Sequence, residues 1–360
     1  QKRYNEDGTE GDLVALEFLR DLNSAIGKEH YDVMMIAEES TAWPLVTYPP
    51  KDGGLGFHYK WDMGWMHDTL NYLKTDFPWR PGNHGMLTFS MMYAFNENFV
   101  LPLSHDEVVH GKCSLIVRSP GDYWRQFANL RILALYQMCH PGGKLNFMGN
   151  EIAQFIEWRY YEQIEWDLAD EFESHKKHQG FIAELNKLYK NTEALWSEDK
   201  SLDGFQWLDA DDSEQSILLF ERKGDDKDDF ITCVLNFQPD VYHEFRVGVP
   251  EKGSYYEIFN SDDEAYGGSG QLNSKAMKAE EIPAHGQPYS IAVTVPPIAG
   301  CLIAKKKTAK KKTASKAATK QAGKSTAKKT SVAKAAKKTA KAEKKTSKKA
   351  AKSPLSSGSK

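Results

Sequence analysis

At 360 residues, with 40% hydrophobic and 12% aromatic content, the sequence can build a sizeable core and two ordinary domains, which excludes a globally disordered chain. The formal net charge of −3 hides a division: residues 305–360 hold 21 lysines, no arginine and one acid, Glu343, whereas the other 304 residues carry 26 Lys+Arg against 49 Asp+Glu. No apolar run approaches the roughly 20 residues that span a bilayer, and Gln1 to Glu10 are polar rather than leader-like, so the sequence reads as soluble and cytoplasmic with no membrane partner.

The first element is a helix. Leu13, Leu16, Leu19, Leu22 and Ile26 recur at three- and four-residue spacing over Asp12 to Gly27, and Gly27 is the expected stop. Val33 to Ala37 then forms a continuous apolar run ending in Glu38 and Glu39, the pattern of a strand buried on both faces with carboxylates at its C-terminal end. Gly56 to Trp61 is a further strand candidate, and Trp65 to Lys74 a helix. Phe99 to Leu103 repeats the strand pattern and runs into Ser104, His105, Asp106 and Glu107. The helix Tyr123 to Gln137 follows, and Lys144 to Met148 runs into Gly149, Asn150 and Glu151. Buried strands alternating with helices argue for a parallel α/β sheet, and polar residues at the C-terminal ends of strands are where a (β/α)₈ barrel keeps its chemistry. Only about four such strands are present, half of the eight a closed barrel needs.

Beyond about Asn191 the segments become short and are separated by turn-formers: Phe205 to Leu208, Ser216 to Glu221, Phe230 to Asn236, Tyr242 to Val247, Tyr255 to Phe259, Tyr289 to Val295 and Cys301 to Ala304. The expected organisation is α/β: residues 1–191 as the C-terminal half of a (β/α)₈ TIM barrel, 192–304 as a small antiparallel β-sandwich, and 305–360 as a disordered tail. That tail repeats Lys, Ala, Thr and Ser without an aromatic residue and cannot offset its ordering entropy by burial. Its composition is similar to histone H1-like tails, which bind nucleic acid and other polyanions weakly, through charge. A solubilising extension is the alternative. Cys113, Cys139, Cys233 and Cys301 lie far apart in sequence, with no spacing typical of a metal or redox motif, which suits a reducing compartment.

Glu38 and Asp106 are the candidate catalytic residues. Retaining glycosidic chemistry uses one carboxylic acid to protonate the leaving oxygen, while a carboxylate on the other face of the sugar attacks. Strand ends hold such groups on rigid supports, and burial beside other carboxylates, Glu39 and Asp106 for Glu38, would keep the acid protonated. His105 is suited to a sugar hydroxyl and Trp61 to stacking on a sugar ring. The blander alternative is that strand-end acids cap the next helix or face solvent.

The segments Ile36 to Thr41 (IAEEST), Gly53 to Phe57, Tyr59 to Trp61, Gly64 to Leu70, Asn98 to Gly111 (NFVLPLSHDEVVHG) and Phe147 to Glu151 resemble the branching-enzyme members of the α-amylase superfamily. The similarity extends over about residues 11–304. It implies Glu38 as general acid/base, Asp106 as the third family carboxylate, which stabilises the oxocarbenium-like transition state, and His105 as a sugar-binding residue beside it. It implies no metal and no cofactor. Ser104 and Glu107 around the His-Asp pair are of the branching type, which favours transfer of α-1,4-glucan chains into α-1,6 branches of glycogen over hydrolysis. The family's nucleophilic aspartate, in an Arg-x-Asp pattern on an earlier strand, does not occur in this sequence, nor does its N-terminal carbohydrate module. The chain is therefore expected to be a fragment, inactive alone, with the N-terminal half of the enzyme as a partner. A catalytically dead glucan-binding protein with a polyanion-binding tail, or an amylase-type hydrolase, are the alternatives.

Overall fold

The computed structural model describes residues 11–226 and 229–305. The lysine-rich segment from 306 onward, with the expectation of disorder attached to it, lies outside the described residues; Lys305 closes the last strand. Among the described residues no helix is long and apolar enough to cross a membrane, and no group of three or more His, Cys, Asp or Glu is placed to hold a metal ion.

Four helices of twelve residues or more and a four-stranded parallel sheet make the first layers. Helix α1 (Leu13–Glu29) starts where Asp12 accepts hydrogen bonds from the Val14 and Ala15 amides, satisfying two of the donors that a helix start leaves open. It does not stop at Gly27 as its sequence suggests. The His30 amide still reaches the Ile26 carbonyl, so the glycine is carried inside the last turn at the modest cost such a position incurs. Leu16 and Leu19 pack with Trp43 and Phe57, while Leu13, Val14 and Phe18 remain exposed.

The sheet runs β1 (Ile36–Ala37), β2 (Tyr59–Trp61), β3 (Phe99–Leu103), β4 (Gly143–Asn146) in sequence order, every pair parallel. The connections carry α2 (Met63–Lys74) and α3 (Tyr123–Cys139), and α4 (Glu173–Asn191) follows. Of these four only β3 approaches the burial that its sequence announces, with Val100 to Leu103 buried and Phe99 partly so. β1 is two residues long, and Val33, Met34 and Ile36 are exposed, which corrects the expectation of burial on both faces. The reason is topological: β1 pairs with β2 alone and stands at the sheet edge, so apolar side chains that a closed barrel would cover are open. β4, the other edge, ends at Asn146, and Met148 is exposed. Pro102 is tolerated in central β3 because Asn98 and Val100 are the residues whose carbonyls face β2, so Pro102 faces the same side, beyond Trp61 where β2 ends.

The second domain is an antiparallel sandwich. β5 (Phe205–Asp209), β6 (Ile217–Lys223) and β7 (Phe230–Asn236) lie beside β12 (Ala299–Lys305), β9 (Ser254–Asn260) and β10 (Met277–Lys278) in the order β10-β9-β12-β7-β6-β5, and β8 (Tyr242–Val249) pairs with β11 (Tyr289–Val295) as a separate two-stranded sheet. The pleat sorts its residues. Leu218, Phe220, Ile231, Cys233, Leu235 and Leu302 face the core shared with α3 and α4, while Ile217, Leu219, Val234, Cys301 and Ile303 face Val247, Val249, Ile291 and Val293 of the two-stranded sheet. The large sheet is therefore covered on both faces.

Three buried arginines join the domains. Arg80, after α2, donates to the Phe237 carbonyl and to Asn129 Oδ1 at 2.7 Å. Arg131 of α3 donates to the Ser261 and Tyr266 carbonyls. Arg222 of β6 reaches back to the Cys139 carbonyl at 2.7 Å, to the Gly204 carbonyl and to Asp199. Replacing Arg222 with Met leaves two carbonyls and a carboxylate without their donor in a dry seam. The expected loss is about 3 kcal/mol or more of unfolding free energy, read from urea denaturation of the full chain against the parent.

Candidate active site

The chemistry-bearing residues lie at the C-terminal ends of the four parallel strands. Ala37 pairs with Lys60, so Glu38 is the first residue past β1 and falls level with Trp61. It is exposed, which corrects the expectation that Glu39 and Asp106 bury it; among the described residues no hydrogen bond or ion pair joins Glu38 to Asp106 or His105. The turn after it is firmly held. Glu39 accepts from the Thr41 amide at 2.6 Å, and buried Lys60 donates its ammonium to the Thr41 carbonyl at 2.9 Å. Partial burial opposes the Glu39 charge, but the Thr41 hydrogen bonds and the Lys60 charge outweigh it and hold this carboxyl below its ordinary range.

Past the end of β3, His105 Nε2 lies 3.1 Å from Asp106 Oδ1, both side chains half-exposed. The His105 ring meets Phe147 at 5.7 Å and Trp158 at 6.3 Å between centroids, and these two stack edge to face at 5.2 Å. Trp158 is fixed by its amide donating to the Val108 carbonyl, and Glu157 accepts from the Gly111 and Cys113 amides, bonds that lower its pKa. Glu107 is turned aside to Lys112 at 3.2 Å and Arg118 at 3.6 Å, so it braces the loop.

The structure thus brings His105, Asp106, Phe147 and Trp158 together and places Glu38 and Trp61 on neighbouring strand ends. A cavity of about 660 Å³ lies to one side: it takes Glu39, Lys60, Trp61 and Asp62 but neither Glu38 nor Asp106. A void bounded by an open sheet edge marks missing packing as readily as a ligand site, so we place the candidate centre on the strand-end carboxylates.

Asp62 is the residue that the sequence did not single out. Its Oδ1 accepts from the Trp65 amide at 2.8 Å, capping α2, and from the Tyr93 hydroxyl at 3.3 Å. Gly64 permits this approach, since a Cβ there would stand 2.5 Å from the Tyr93 oxygen. Burial raises the Asp62 pKa from 3.8 to about 6, against the lowering effect of its hydrogen bonds and of Lys60. The folded state therefore binds this proton more tightly than the unfolded chain does. The group contributes most stability below about pH 4, and that contribution is lost as pH rises through 6. Asp62→Asn keeps the cap and removes the charge: the expected outcome is a gain on the order of 2 kcal/mol at pH 7 and a flattened pH 4 to 6 dependence, read from denaturation midpoints across that range.

Residues 207–306 match the family model described as the C-terminal all-beta domain of alpha amylase. Over 295 residues the chain is 54% identical to the 1,4-alpha-glucan branching enzyme GlgB of Halothermothrix orenii, covering 82% of this chain and 47% of that one. The corresponding figures are 49% for the enzyme of the same name from Bacillus cereus (85% and 48%) and 50% for GlgB 1 of Clostridium perfringens (84% and 46%). The chain spans about half the length of the curated relatives it matches. Among solved structures, an alpha-amylase from H. orenii superposes with a TM-score of 0.50 at 13% identity, covering 81% of this chain and 57% of that one, and AmyP in complex with maltose with 0.55 at 12%, covering 80% and 61%; these likenesses show the fold. A parallel half-sheet with its polar residues at the strand ends, joined to an amylase-type β-sandwich and about half identical to these relatives, places the body of the chain in the 1,4-α-glucan branching-enzyme family of the α-amylase superfamily, as its C-terminal part.

Proposed function

We propose that this chain supplies the acid/base half of a retaining glucanotransferase active site, which cuts an α-1,4-glucan chain and passes it to a 6-hydroxyl to make glycogen branches. Glu38 protonates the leaving oxygen and later takes the proton of the incoming hydroxyl; Asp106 holds ring hydroxyls and offsets the positive charge of the transition state; His105 binds the sugar beside it, and Trp61 offers a stacking face. The observation that carries this reading is the placement of Glu38 and the His105–Asp106 pair at the C-terminal ends of β1 and β3 of one parallel sheet, in a chain half identical to branching enzymes. Transfer is favoured over hydrolysis by the Ser104 to Glu107 segment and by the activity for which the relatives are named.

Double displacement also needs a nucleophile, and no Arg-x-Asp segment occurs in this sequence. The remaining barrel strands are its natural source. They would pair with β1 and cover Val33, Met34 and Ile36, and a further segment would cover Leu13, Val14 and Phe18 on α1. The 21 lysines of residues 305–360 are suited to salt-sensitive contact with polyanions, in a cytoplasmic setting where glycogen and nucleic acid are both at hand.

Purified alone, the chain is expected to form no new α-1,6 linkages on amylose, counted after enzymatic debranching. Co-expressed with the N-terminal half of a relative, it should regain branching, and Glu38→Gln or Asp106→Asn should then lower the rate by about 10²- to 10⁴-fold. Branching by the lone chain would refute the assignment of the nucleophile to other strands. Unchanged rates in both variants would refute the assigned roles.

A further inference from the structure

The loop after β4 carries a feature that the strand-end residues do not use. Arg159 to Glu162 form a turn closed by the Glu162 amide on the Arg159 carbonyl at 3.2 Å, and the two side chains lock it again, Arg159 Nη1 lying 3.1 and 3.0 Å from the Glu162 carboxylate oxygens. Its two corner residues are Tyr160, 84% exposed, and Tyr161, 66% exposed, their rings 5.1 Å apart and perpendicular. Turn corners ordinarily take Gly, Pro, Asn, Asp or Ser, for conformational reasons. Two adjacent tyrosines gain nothing from a turn and leave large apolar faces in water, and neither ring belongs to a core cluster.

The turn's location gives those faces a use. One residue before it, the Trp158 amide is bonded to the Val108 carbonyl and the Trp158 ring meets His105; a residue earlier, Glu157 binds the Gly111 and Cys113 amides. The tyrosines are therefore presented from the segment sewn to the His105–Asp106 loop. Perpendicular aromatic rings offer two apolar faces to the C–H surfaces of successive sugars, with hydroxyls at their edges and Arg159 and Glu162 alongside for sugar oxygens.

We propose that Tyr160 and Tyr161 form an aromatic platform that stacks an α-1,4-glucan chain beside the His105–Asp106 loop, a carbohydrate subsite additional to the strand-end residues. The proposal rests on the glucan-transferase reading, and its test separates the two. Maltoheptaose binding by the full chain is measured calorimetrically for the parent, for Tyr160→Ala/Tyr161→Ala, for Tyr160→Phe/Tyr161→Phe and for Trp61→Ala. Loss of two stacking rings should weaken binding about tenfold, and the phenylalanine pair should stay within about twofold of the parent. Both rings lie in solvent, so the variants should fold as the parent does, and the single alanine variants, each expected to give part of the effect, control for any loss of structure. Equal affinity of the double alanine variant alongside loss in Trp61→Ala overturns the platform and leaves the function standing. Absence of maltoheptaose binding by the parent overturns both. A change in molecular mass by light scattering, with affinity unchanged, assigns the pair to self-association instead and likewise overturns the platform.

Discussion

The seam between the half-sheet and the sandwich depends on guanidinium groups withdrawn from water. Helix ends leave carbonyls without intrahelical donors, and a carbonyl carries a partial negative charge that a cation answers well. Arg222 does this for α3, meeting the Cys139 carbonyl at its last residue, and Arg80 does it for α2 through the Leu73 and Thr75 carbonyls while stacking 4.5 Å over Phe77. Burial lowers the pKa of Arg80 and Arg131 to about 10, still far above neutrality, so both remain charged donors. An open four-stranded sheet cannot hold its helices by closure. The sandwich supplies the missing constraint: α3, buried along most of its length, is clamped between β3 and β4 on one side and the six-stranded sheet on the other. That clamp fixes the strand ends beyond which His105, Asp106 and Phe147 lie.

The legibility of this fold in its sequence follows the range of the forces involved. β3 and β7 are readable with their bounds because each is a local apolar run whose burial is complete or nearly so in the structure, and β11 because its apolar residues alternate along a half-covered strand. β1 was misread because the same local signal means burial only when neighbours exist on both sides, and its apolar residues face an open edge. β10 escaped notice because two residues carry no period. The arginine brackets were invisible, since a lysine or arginine in a sequence gives no sign of whether its partner is a main-chain carbonyl more than a hundred residues away, as for Arg80 and Phe237.

The candidate site divides along the same line. Glu38 and Asp106 stood out because a carboxylate at the abrupt end of an apolar run is a local pattern, and the structure keeps both at strand ends. The pairing of Trp158 with His105 was not readable, because it depends on a loop crossing to Val108. Nor was Asp62, whose burial comes from α2 and Tyr93 together; only its spacing three residues ahead of Trp65 hinted at a cap.

The exposure of Glu38 connects structure to chemistry. Glu38, the proposed general acid, stands exposed past β1, and the carboxylate next to it, Glu39, is bound by Thr41 and faced by Lys60. On the proposed reading, strands pairing with β1 would remove water from this strand end and bring a second carboxylate across the cleft, so that the tuning of the acid and the arrival of the nucleophile would be one event. Lys60 holds the turn after Glu38 through the Thr41 carbonyl, so the carboxylates at this strand end stand on an ordered support.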